Sequence, residues 1–177
     1  MVKFQTGKYI FYVHVGSEPE AFRGWLDRPA FSDVVGLQHP GTSVYIGIDE
    51  MDRAGTGVIA FNTDLLDTSF FHPELLFLQV TNTLFVGAGS KAMTYSLKNK
   101  VKLSDRNPYA FWYWAKHDNF IVMNAELEIA VYDYEGHFIW AAPAEPPWTY
   151  GIDGNTLILD IMGEIRKYEF ATGKMVP

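Results

Sequence analysis

Asn155-Thr156-Leu157-Ile158-Leu159-Asp160-Ile161, then Glu164-Ile165-Arg166-Lys167-Tyr168-Glu169-Phe170 with the turn Thr172-Gly173-Lys174, is the stretch that decides how this chain folds. The two runs read as consecutive strands of a hairpin spanning Asn155 to Val176. Three upstream segments repeat it. Asn119 to Glu135 matches without a gap, so that Ile121 answers to Leu157, Met123 to Leu159, Ile129 to Ile165, Tyr132 to Tyr168 and Tyr134 to Phe170. One copy earlier, Leu84, Val86, Ala92, Tyr95 and Leu97 fall on the same positions. A fourth copy begins at Val44-Tyr45-Ile46-Gly47-Ile48 and resumes, after a longer loop, at Val58-Ile59-Ala60-Phe61. A spacing of roughly 36–40 residues built from short strands signals stacked β units, slightly tighter than the usual propeller blade.

Each copy has a strand ahead of it: Val34-Val35-Gly36-Leu37, Leu75-Leu76-Phe77-Leu78, Trp112-Tyr113-Trp114-Ala115 and Trp148-Thr149-Tyr150-Gly151. A weaker fourth strand follows each: Ser69-Phe70-Phe71, Lys100 to Leu103, His137 to Trp140, and Lys174-Met175-Val176. One such sheet cannot bury both faces alone, and neighbouring units must cover them. The expectation is an all-β, single-domain chain: a small propeller or propeller-like array of about four four-stranded units at 34–71, 75–103, 110–142 and 148–177. Residues 1–15 supply N-terminal strands that close the array, and 16–33 form a helical insertion.

Tyr168-Glu169-Phe170-Ala171-Thr172-Gly173-Lys174, a strand end running into a Thr-Gly-Lys turn, resembles the repeats of quinoprotein-type propellers. It recurs loosely as Tyr132 to His137, and the Trp that usually follows the turn is present once, as Trp140. The resemblance covers Val34 to Val176 as a blade pattern and implies a scaffold without a particular activity. The quinone-binding members need a larger ring with a metal-supported centre, which nothing here matches. WD-type repeats share the architecture, but this chain has no Trp-Asp dipeptide.

Composition narrows the function classes. Hydrophobic residues make up 48% and aromatics 16% of the 177 residues, enough for a core and biased towards strands. The net charge of −7 argues against nucleic acid, whose phosphates need a basic face. There is no Cys, hence neither a disulfide framework nor a thiol nucleophile. No apolar leader or membrane-length run occurs, so the expected location is cytoplasmic with no membrane partner.

Candidate sites are few. Ser17-Glu18-Pro19-Glu20 has the form of a capping box, after which Phe22, Trp25 and Leu26 share one face of a short helix that packs on the sheets or plugs one mouth of the array. Asp49, Glu50 and Asp52 are hard-cation donors by type, but their spacing is not that of a calcium loop, and a solvated loop without metal is expected. Gly87-Ala88-Gly89-Ser90-Lys91 lies between strands with no helix behind it and reads as a hairpin turn, not a phosphate cradle. The five His (His14, His39, His72, His117 and His137) form no metal or catalytic spacing.

The densest aromatic run is Tyr109-Ala110-Phe111-Trp112-Tyr113-Trp114, where strand alternation puts Trp112 and Trp114 on one face and Tyr113 on the other. With Trp148 and Tyr150 in the next unit, beside a loop stiffened by Pro143, Pro146 and Pro147, these residues pack between units or present an aromatic platform. The expected function is a non-enzymatic, cofactor-free binding module for a protein partner. Its candidate contact residues are Trp112, Tyr113, Trp114, Trp148, Tyr150 and His117. One alternative is a hydrolase or lyase with a central pocket using His117 and nearby carboxylates. Another is an acidic immunity-type inhibitor that covers a basic toxin surface.

Overall fold

The computed structural model describes residues 1–27, 29–64 and 72–177. Four antiparallel-rich sheets follow one another along the chain in a propeller-like array. The second is a meander of β6 (Glu74–Leu78), β7 (Thr83–Ala88), β8 (Lys91–Ser96) and β9 (Val101–Arg106). The third comprises β10 (Phe111–His117), β11 (Phe120–Ala125), β12 (Glu128–Asp133) and β13 (Phe138–Pro143). The fourth comprises β14 (Trp148–Asp153), β15 (Thr156–Ile161), β16 (Glu164–Glu169) and β17 (Met175–Val176). The repeat read from sequence is also a register repeat. Leu84 pairs with Tyr95, Ile121 with Tyr132 and Leu157 with Tyr168, and all three rings are buried.

The first sheet departs from the expected plan. It contains β1 (Val2–Thr6), β2 (Tyr9–Val15), β3 (Ser32–Val35), β4 (Thr42–Glu50) and β5 (Arg53–Thr63), in the order β1-β2-β4-β5-β3. Val34-Val35 was expected to lie ahead of β4. Instead β2 takes that place, pairing Phe11 with Ile48 and Val13 with Ile46. β3 lies at the opposite edge, parallel to β5. β2 and β3 thus run parallel within one sheet, which requires a crossover, and helix α1 (Glu20–Asp27) provides it. The N-terminal hairpin therefore completes the first sheet, not the last one. Ser69-Phe70-Phe71, the fourth strand expected for the first unit, lies outside the described residues.

Helix α1 begins at Glu20, three residues after Ser17, so Ser17 is not its cap. Phe22 is buried with Tyr45, Val58 and Ala60 on the face of the first sheet turned away from the second, and Trp25 packs beside it. The acidic loop tightens into a hairpin. Asp49 Oδ1 accepts the Gly55 amide at 2.7 Å and Glu50 is ion-paired with Lys8.

Three apolar layers join consecutive sheets, and they are not built alike. Between sheets two and three, Phe85 and Ala92 of one meet Ile121, Met123 and Tyr132 of the other. Between three and four, Val122 and Val131 meet Leu157, Leu159 and Tyr168. In both, the Phe85-type face of one sheet meets the Leu84-type face of the next. Between sheets one and two the matched positions meet each other: Val44, Ile46 and Ile59 face Leu84, Val86 and Tyr95. The first sheet is thus turned over relative to the rest. Both ends of the array consequently present the same type of face. The first sheet's carries Tyr45, Val58 and Ala60 under α1, and the fourth's carries Ile158, Asp160 and Ile165.

A Trp–Tyr–His–Asn seam as candidate functional site

The residues singled out in the sequence converge on the seam between the third and fourth sheets, with one exception. The register of β10 against β11 slips between Phe111 and Tyr113. This bulge breaks the alternation and turns Trp112 to the face opposite Trp114. The expectation that the two share a face is therefore wrong. Phe111 fixes the bulge by lying directly over Gly87, where a Cβ would collide with its ring, and by donating its amide to Gly89 O at 2.7 Å.

Trp114 is buried towards the second sheet, packed against Phe85, Phe111 and Tyr132 at 5.3–5.4 Å between ring centroids. Its amide donates to Glu74 Oε2 at 3.1 Å, and burial raises the Glu74 carboxyl above its ordinary range. Trp114 therefore holds two sheets together and is not available to a ligand.

Trp112 stacks on Trp148 across the other seam, with centroids 5.3 Å apart and planes 10° from parallel. The Trp148 indole donates to Glu126 O at 3.1 Å. Further along, His117 Nε2 lies 3.0 Å from the Tyr150 hydroxyl. Burial lowers the His117 pKa from its ordinary 6.5, opposed by neighbouring Asp118. Burial raises that of Tyr150, with Asn124 opposing. At neutral pH the pair is uncharged, a phenol against a neutral imidazole. Tyr113 is 45% exposed at the rim.

Sequence reasoning missed Asn124. It is fully buried (0% exposed) in β11, facing the seam beside Tyr150. Its amide nitrogen is turned toward the Tyr150 hydroxyl and lies 3.5 Å from Tyr113 O and 3.4 Å from Val122 O, while its Oδ1 has no hydrogen-bond partner among the described residues. A buried amide oxygen left without a partner is uncommon. Its signal was available: Asn124 occupies the position of Gly87 and Asp160 in the neighbouring copies, a break in otherwise apolar strands.

Together the seam offers aromatic faces, a neutral hydrogen-bonding pair and an under-used amide. His117 is oriented by a phenol, not by a carboxylate. Two open cavities lie elsewhere. One of about 440 Å³ is lined by Met1, Phe4, Val13, His14 and His72, and one of about 420 Å³ by His39, Asn62, Asp64, Lys91 and Asn107. Among the described residues no group of three or more His, Asp or Glu is placed to hold a metal ion, and no helix is long and apolar enough to cross a membrane.

No family model matches the chain, and no curated protein matches it. Solved structures similar to it include BamB from Moraxella catarrhalis, at 9% identity and TM-score 0.43 over 83% of this chain and 48% of that one. Hsv2 from Kluyveromyces lactis is similar at 11% identity and TM-score 0.35, over 60% of this chain and 36% of that one. A protein of unknown function from Bacteroides caccae is similar at 8% identity and TM-score 0.37, over 75% of this chain and 53% of that one. The chain thus spans about half or less of the length of each.

Proposed function

We propose that this protein is a non-enzymatic binding module for a protein partner, and that it engages that partner along the rim of the third–fourth seam. The carrying observation is the juxtaposition of the stacked Trp112–Trp148 pair with the neutral His117–Tyr150 pair, opening to solvent at Tyr113. Amphipathic rings with a polar tip are the side chains that dominate protein–protein hot spots. The stack makes the wall rigid, so a docking side chain meets little ordering cost there. The scaffold does not itself dictate a partner, and the assignment rests on the site.

Tyr113 and His117 are the contact residues, and Tyr150 and Asn124 orient His117. Affinity capture from cell extract, comparing wild type with Tyr113→Ser and His117→Ala, tests the reading. The expected result is one retained protein whose recovery falls about tenfold or more in both variants, while a circular-dichroism melt shows both still folded. Equal recovery by all three proteins would defeat the reading.

A further inference from the structure

We propose that the outward face of the fourth sheet is a second docking surface, for an amphipathic partner helix that brings an aromatic ring onto Gly151 and basic residues around it. This surface is separate from the third–fourth seam.

The first observation is a pattern in the glycines. Four glycines lie inside strands without a positive φ: Gly47, Gly57, Gly87 and Gly151. Nothing in backbone conformation requires glycine at these places. At three of them an aromatic ring lies where a Cβ would be: Trp25 over Gly47, Phe31 over Gly57 and Phe111 over Gly87. Strand-interior glycine marks close approach by another group, and here that group is each time an aromatic side chain. Gly151 has nothing within 4 Å. It sits in the middle of β14, paired with Ile158, on the face opposite buried Trp148 and the partly buried Tyr150 and Ile152.

The second observation is the equivalence of the two ends. Because the first sheet is turned over, its outer face and that of the fourth sheet are the same face of the repeat. At the first end the cover is an amphipathic helix, α1, with Trp25 seated on Gly47 and Phe22 beside it. At the fourth end, Ile158 is paired with Gly151, and Ile165, 53% exposed, lies on the same face one strand further on, paired with Asp160. The bare face therefore offers an open glycine seat and apolar neighbours as the covered one does, but the seat lies on β14, while the position matching Gly47 is held by Asp160.

Charge identifies the occupant's flanks. By register, Asp153, Asp160 and Glu169 share this face with Lys167 as its one cation. An acidic rim around an apolar seat selects a basic helix and disfavours an acidic one. A second copy of this acidic chain fits less well, since it would set like charges against each other.

The test uses a displayed library of random short peptides selected on the wild-type protein and counter-selected on Gly151→Val. Gly151→Val fills the seat, where an added Cβ meets nothing within 4 Å, and Gly151→Ala serves as a milder variant; melting temperatures for both should match or exceed wild type. The expected outcome is recovery of peptides with an aromatic residue flanked by Lys or Arg. Their affinity should fall about tenfold or more in Gly151→Val, fall in Asp160→Asn, and stay unchanged in Tyr113→Ser. Selection that returns no Gly151-dependent binder, or binders without an aromatic, overturns the proposal. A concentration-dependent dimer in sedimentation that Gly151→Val dissociates overturns it in favour of self-association. Binders lost in Tyr113→Ser but kept in Gly151→Val support the seam and overturn this surface.

Discussion

The two ends of the array present equivalent faces and treat them differently. At the first sheet, Val44 to Ile48 is buried on both sides, because the second sheet takes Val44, Ile46 and Ile48 while α1 takes Tyr45 and lays Trp25 on Gly47. At the fourth, β15 alternates: Leu157, Leu159 and Ile161 are buried and Ile158 and Asp160 are partly open. A strand that is apolar at every position announces two covers, and a strand that alternates announces one. In β15 the alternation is one of burial, and in the sequence it shows only at Asp160, which stands where the first sheet has Gly47.

The largest test of this contrast is Phe22→Ala against Ile165→Ala. Phe22 is buried between α1 and the sheet, so its truncation should cost about 3–5 kcal/mol in urea unfolding. Ile165 lies on the bare face and should change stability by no more than about 0.5 kcal/mol. Equal costs would mean that the two faces are not different in kind.

A smaller and sharper test exchanges glycines. In Gly47→Ala the new methyl would come within 2.5 Å of the Trp25 indole, and over-packing of this sort costs about 1–3 kcal/mol. Gly151→Ala meets only open space and removes the entropic penalty of a strand glycine, so it should stabilise by about 0.5–1 kcal/mol. Opposite signs in denaturant midpoints are the expected result, and the same sign at both positions would break the equivalence.

Sequence carried the repeat well because strand register and side-chain periodicity are local. Tyr95, Tyr132 and Tyr168 fell on matched pairs, and Gly89-Ser90 makes the hairpin turn expected of it. What sequence missed was non-local. β3 sits at the far edge because a crossover helix carries it there, and a strand's own residues do not state which neighbour they will find. The turning-over of the first sheet changes no residue's burial, only the identity of its partners. Trp112 was assigned to the wrong face because one bulge reverses the alternation. Tyr113, Trp148, Tyr150 and His117 were found as aromatic density, whereas Asn124 required comparing the copies position by position.

The seams also differ in their polar ends, and pH separates them with the smallest effect. The first–second seam ends on charge: Tyr95 donates to Asp33 Oδ2 at 2.7 Å and Lys102 lies 3.0 Å from the same carboxylate. The third–fourth seam ends on the neutral His117–Tyr150 pair. Burial holds the folded His117 pKa below its ordinary 6.5, so the unfolded chain takes up the proton first as pH falls. Its contribution to stability is then complete above the unfolded value and is lost as pH drops through 6.5 towards the folded pKa. Unfolding free energy measured from pH 7.5 down to 5.5 should therefore fall more steeply in wild type than in His117→Gln. The difference should be only a fraction of the roughly 1.4 kcal/mol per pH unit that one whole proton gives, because the group is partly solvated. Asp33→Asn should leave that difference in slope intact, since Asp33 belongs to the other seam. Parallel pH profiles for wild type and His117→Gln would mean that the imidazole is as well solvated folded as unfolded, and the neutral pair at the rim would lose its physical basis.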